Sequence, residues 1–222
     1  SHDMAQTPIP ALAILVKSEI GRALFVEARY SIGVTIEVAK NPVLENGFVV
    51  AGEYSPSEKR VVLSPAPPAL QVIVLTHELA HALQTQAKST SLRQHVEKEL
   101  AMEADARGME AIVAIQLAQI GDSRPLRTLL QTSGQSVQAA FGAAFEENGR
   151  PTPKNLSQML EGIRDLGELS HIHGLIVDQF LNHPSPMRSE YVRTAIGRYL
   201  IEQSRMEQVH AVEREQWRRI QR

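Results

Sequence analysis

Apolar residues recur every three or four positions over residues 11–29: Leu12, Leu15, Val16, Ile20, Leu24 and Phe25. That spacing predicts an amphipathic helix. After Gly33 the period changes to two. Val34, Ile36 and Val38 alternate with Thr35 and Glu37, a strand signal with β-branched residues at most positions. Asn46-Gly47 is a strong turn pair. Residues 48–54 and 60–63 read as two strands around the turn 55–59. Residues 33–64 therefore predict a small antiparallel sheet. Pro65, Pro67 and Pro68 end it, and proline is tolerated in a first helical turn. A helix follows through Val72, Ile73, Leu75, Leu79 and Leu83, ending in the polar stretch 88–91. A second long helix is predicted over 92–120, closed by Gly121. Helical patterns continue over 124–132, 135–146, 155–182 with breaks, and 187–220. No repeat period is visible. The expected class is α+β, mostly helical.

At 222 residues with 43% apolar positions, the chain can bury one generous core or two small ones. The Gly- and Pro-containing stretch 147–154 divides residues 4–148, the expected catalytic core, from a helical part over 149–222. It serves equally as a loop within one domain. Ser1, His2 and Asp3 ahead of Met4 read as a cloning remnant. A net charge of −2 offers no basic field for nucleic acid or an anionic membrane. The basic cluster Arg214, Arg218, Arg219 and Arg222 reads as a solvated helix end. There is no cysteine, which excludes disulfides and thiolate metal sites. Any metal must then be held by His, Asp or Glu. No run approaches the ~18 apolar residues of a bilayer span. The apolar stretch 9–16 is short, interrupted by Pro10 and lacks a basic lead-in, so no signal peptide is expected. The expected location is the cytoplasm, with secretion as an effector left open.

The chemistry is concentrated at His77-Glu78-Leu79-Ala80-His81. On a helix, residues four apart lie on one face, so the two imidazoles can grip a single cation. Neutral imidazole suits Zn²⁺, and a catalytic zinc takes three protein ligands and keeps one position open. Glu78 is placed to act as general base on the water that such a metal activates. The third ligand is expected on the next helix, among Glu97, Glu99, Glu103 and Asp105. Glu99 and Glu103 are four apart and share a face. One of them can bind the metal while the other orients a ligand histidine; Glu103 is preferred.

The stretch 77–84, HELAHALQ, followed by EADARG at 103–108, resembles the gluzincin metallopeptidases. The resemblance implies a zincin-like core in which HExxH on one helix is joined by a Glu ligand on the next. His183-Pro184 with Pro186 and Arg188 resembles the His-Pro motif of the HtpX-like and CAAX-protease-like branch. ELAME at 99–103 is similar to the ELPxE stretch of bacterial neutral zinc peptidases. In the ExEAD families the ligand is usually the Glu four before the Asp. Ala101 stands there in this chain, so Glu103 and Glu99 both stay open.

A second electrophile would stabilise charge developing on a scissile carbonyl. His171, His173, His183, Arg188 and Tyr191 are candidates, with His183 favoured by the His-Pro resemblance. His171 and His173 point in different directions on one helix and read as surface or core residues. The reading is a Zn²⁺-dependent peptidase acting on a peptide or protein, with no nucleic-acid partner and no integral membrane segment. Its alternative is a metal-binding regulator or sensor with little proteolysis. The oligomeric state is not legible.

Overall fold

The computed structural model describes residues 9–45, 48–84, 89–132, 139, 142–143, 156–183 and 185–220. The predicted turn at Asn46-Gly47, most of the predicted helix 135–146, and the stretch 147–154 lie outside these residues.

The first predicted helix is two helices, α1 (Pro10–Leu15) and α2 (Glu19–Val26). Ser18 makes the break. Its Oγ accepts from the Gly21 N–H at 3.0 Å and donates to Gln116 Oε1 at 2.6 Å. That is an N-cap, which starts a new helix. Gly21 permits the tight junction, because a Cβ there would stand 2.5 Å from the Leu15 carbonyl oxygen. A π-helical turn (Glu27–Ile32) follows α2 and ends at Gly33, whose φ of 85° favours glycine.

Five strands follow: β1 (Thr35–Val38), β2 (Val43–Glu45), β3 (Phe48–Val50), β4 (Gly52–Ser55) and β5 (Arg60–Leu63). β4 and β5 form the predicted antiparallel hairpin, but β1 pairs parallel to β5, and β2 and β3 form a separate ladder. The sheet is therefore mixed rather than antiparallel. Parallel neighbours need a crossover between them, and the β2–β4 excursion supplies it. The predicted strand 48–54 is also divided, at Ala51. Ser64 holds that corner: its N–H donates to the Ala51 carbonyl, its hydroxyl donates to Val50 O at 2.5 Å, and its Oγ accepts from Val43 N–H.

α3 (Pro68–Leu83) runs behind the sheet with proline in its first turn. α4 (Leu92–Gln119) is capped by the Ser91 hydroxyl. α5 (Arg124–Thr132), α6 (Leu156–Gly162), α7 (Leu166–Asn182) and α8 (Pro186–Ile220) complete the order of described elements. α4 is the shared wall of two cores. Val113 and Leu117 pack with Val61, Leu63, Leu75 and Leu79 from the sheet and α3. Ala111, Ile115 and Ala118 pack with Leu126, Leu129, Ile172 and Ile176 from α5 and α7. A small third cluster joins Leu100 and Ala104 of α4 to Phe180 of α7 and Tyr191 of α8. α3 and α4 are thus held face to face, and the end of α3 meets the first half of α4. Among the described residues, no helix is long and apolar enough to cross a membrane.

Candidate metal centre

His77 and His81 lie one turn apart near the end of α3, with Nε2 atoms 2.9 Å from each other. Glu103, on α4, brings its Oε2 to 3.3 Å from His77 Nε2 and 3.5 Å from His81 Nε2. One ligand atom from each of the three lies within 4.8 Å of the others. Glu103 is 5% exposed, so its carboxylate is committed to this cluster rather than to solvent.

The far side of each ring is occupied. His77 Nδ1 meets Glu110 Oε1 at 2.6 Å, and His81 Nδ1 meets Gln84 Oε1 at 2.8 Å. Both partners are oxygen acceptors, so each Nδ1 carries a proton and, when the ring is neutral, each Nε2 presents a lone pair. Without a metal, a proton on His77 Nε2 can be shared with His81 and Glu103; with both rings neutral, two lone pairs and a carboxylate face one point where a cation can sit. Two neutral imidazoles and a carboxylate are a fitting donor set for Zn²⁺.

Charge is otherwise balanced by Arg107. Its Nε is 3.1 Å from Glu103 Oε1, its Nη1 is 3.9 Å from Glu110 Oε2, and its Nη2 donates to the Tyr191 hydroxyl at 3.0 Å. Burial opposes ionisation of Glu103, but the His77 and Arg107 charges outweigh it and hold the carboxyl well below its usual range. For His77, burial disfavours the charged ring. Glu103 and Glu110 outweigh that and raise its pKa well above the ordinary value. Burial raises Glu78 above the usual carboxyl range, opposed by the His77 and His81 charges and by a backbone hydrogen bond from Tyr54. Burial and the nearby Glu103 charge keep the Tyr191 hydroxyl protonated far above neutrality.

A cavity of about 620 Å³ opens over the cluster. β4, with Gly52, Glu53 and Tyr54, forms one wall; His77, Glu78 and His81 line the floor; Tyr191, Thr194 and Arg198 of α8 form the opposite wall. Gly52 is required where β4 crosses α3, since a Cβ there would stand 2.6 Å from Val74 Cγ1.

Of the residues singled out in the sequence, His77, Glu78, His81 and Glu103 come together. Glu99 lines the same cavity one turn away, paired with Arg198 at 3.3 Å rather than with the histidines. Asp105 bonds Gln84 and His173 instead. His183, favoured as the second electrophile, is exposed at the C-cap of α7 and is not among the residues that line the cavity. His171 is exposed, and Arg188 opens α8 with its N–H bonded to Ser185 Oγ. Tyr191 is the candidate from that half that reaches the cavity. Glu110 and Arg107 escaped the sequence reading. A signal existed: both follow Glu103 at helical spacings of four and seven, which keeps them on its face.

Comparison with curated proteins and with solved structures gives no match. A family model described as "Putative metallopeptidase family (DUF6782)" matches residues 14–158. That span contains both histidines, Glu78, Glu103, Arg107 and Glu110. It covers well over half of the 222 residues, and the chain belongs to the DUF6782 family.

Proposed function

We propose that this protein hydrolyses peptide bonds, with Zn²⁺ held by His77, His81 and Glu103 and with Glu78 as general base. The observation that carries the proposal is the convergence of three lone-pair donors beside a part-buried carboxylate in an open cavity. Zinc at this position supplies Lewis-acid polarisation of a carbonyl and activation of a water. Glu78 is buried enough for its proton affinity to rise, which suits a group that takes a proton and returns it to a leaving amine. β4 ends its sheet, and its outer edge along the cavity can pair with an extended peptide. The Tyr191 hydroxyl accepts from Arg107, lies beside Glu103 and lines the cavity. It is the donor we assign to the oxyanion, in place of His183. A Glu ligand on the helix after HExxH is the gluzincin arrangement, and we place the chain with that group on this feature.

The test compares wild type with Glu78→Gln on a quenched fluorescent protein substrate, with zinc content measured in parallel. The variant keeps its zinc and loses about 10²–10⁴ in turnover, the range for a positioned general base. Full activity in Glu78→Gln would contradict the mechanism. A wild type that binds zinc but cleaves nothing in a broad substrate panel would favour a sensor or regulator instead.

A further inference from the structure

Gln84 is the residue after the last turn of α3, with its backbone leaving the helix at φ −77° and ψ 138°. That exit folds its side chain back over His81. The two ends of the amide are not interchangeable here. The Nε2 group meets two acceptors, the Met102 carbonyl at 2.8 Å and Asp105 Oδ2 at 3.0 Å. An amide nitrogen donates twice and accepts nothing, so both of its protons are used. The amide oxygen is left to accept, and it faces His81 Nδ1 at 2.8 Å. The proton of His81 is therefore fixed on Nδ1, and the lone pair on Nε2.

The chain of contacts continues. Asp105 Oδ1 accepts from His173 Nε2 at 2.9 Å, across to α7. That hydrogen bond, with Gln84, holds the Asp105 carboxyl below its usual range. The His173 ring packs against α4 at Gly108, where an added Cβ would stand 2.4 Å from its Cδ2. Glycine at 108 is what lets the ring come close enough to reach Asp105, three residues earlier on the same helix.

We infer that Gln84, Asp105 and His173 form a polar relay that presents His81 Nε2 to the metal and couples metal retention to the seating of α7. All three are positioning residues: none lies on the metal point itself. This rests on the metal-centre reading above.

The test is zinc affinity of the whole chain, by competition with a chromophoric chelator. Gln84→Leu removes the acceptor and both donors, and should weaken zinc about 10–100-fold, the usual cost of losing a ligand's outer partner. His173→Phe keeps a ring over Gly108 but removes the donor to Asp105, and should weaken zinc by a smaller factor. In the double variant the losses should not add, because both act through His81. The visible absorption of cobalt-loaded Gln84→Leu should differ from wild type; a packing defect alone would lower the melting temperature and leave that band in place. Wild-type zinc affinity in Gln84→Leu would overturn the relay. An effect in Gln84→Leu with none in His173→Phe would overturn the coupling to α7. A wild type that binds no zinc would overturn the metal centre, and the relay with it.

Discussion

Two turns of α4 separate Glu103 from Glu110, and both carboxylates reach His77, one at each ring nitrogen. Their tasks differ. Glu103 faces Nε2 and is the ligand in the proposed centre, whereas Glu110 meets Nδ1 and its proton. Glu110→Gln keeps an acceptor but loses the charge that makes the ring more basic. It should weaken zinc about 10-fold in chelator competition, at the low end for such partners; unchanged affinity would show that Glu110 acts only in packing. Tyr191 and His183 separate cleanly. Tyr191→Phe should lower kcat about 10²-fold, as for one lost oxyanion donor, with zinc retained. His183→Ala should leave kcat and zinc content within error of wild type, given its exposed position outside the cavity. The paired histidines and Glu78 were legible because four-residue spacing on a helix is local geometry. The competition between Glu99 and Glu103 was not. They share a face, and only the crossing of α3 over α4 decides which one meets the histidines and which meets Arg198. His183 stands at the C-cap of α7, outside the lining of the cavity.

At the scale of elements, periodicity marked α4, α5 and α8 to within a few residues, while α3 stops at Leu83, short of the polar stretch 88–91 where its end was expected. It missed the break at Ser18, where a capping hydroxyl overrides a continuous apolar stripe. It also missed the parallel pairing of β1 with β5. Alternation shows that a segment is a strand but is silent on its neighbour's direction. The junction of α4 and α7 gives a direct check of packing. Gly108→Ala places a methyl against the His173 ring and should cost about 1–3 kcal/mol, read as a drop in thermal midpoint. An unchanged midpoint would mean that the ring is free to move away. The mutation should also weaken zinc if His173 is displaced from Asp105.

For the molecule as a whole, α4 is the organising element. One face carries Glu103, Arg107 and Glu110 to the centre, while Ala111, Val113, Ile115 and Leu117 are buried in two cores that fix α3 on one side and α7 on the other. A defect in either core should therefore reach the site. Leu79, two residues before His81, is 1% exposed; Leu79→Ala should cost about 2–5 kcal/mol and lower zinc affinity together with the unfolding midpoint. Membership of DUF6782, a family described as "Putative metallopeptidase family", and a three-donor cluster in an open cavity point to the same class of chemistry. The central claim, a metal held by His77, His81 and Glu103, is tested most directly by elemental analysis. Wild type and His77→Ala would be stripped with chelator, reloaded with zinc and desalted. The account predicts about one zinc per wild-type chain, as for a site of three protein ligands, and none in His77→Ala. No metal in the reloaded wild type, or equal zinc in both, would contradict it.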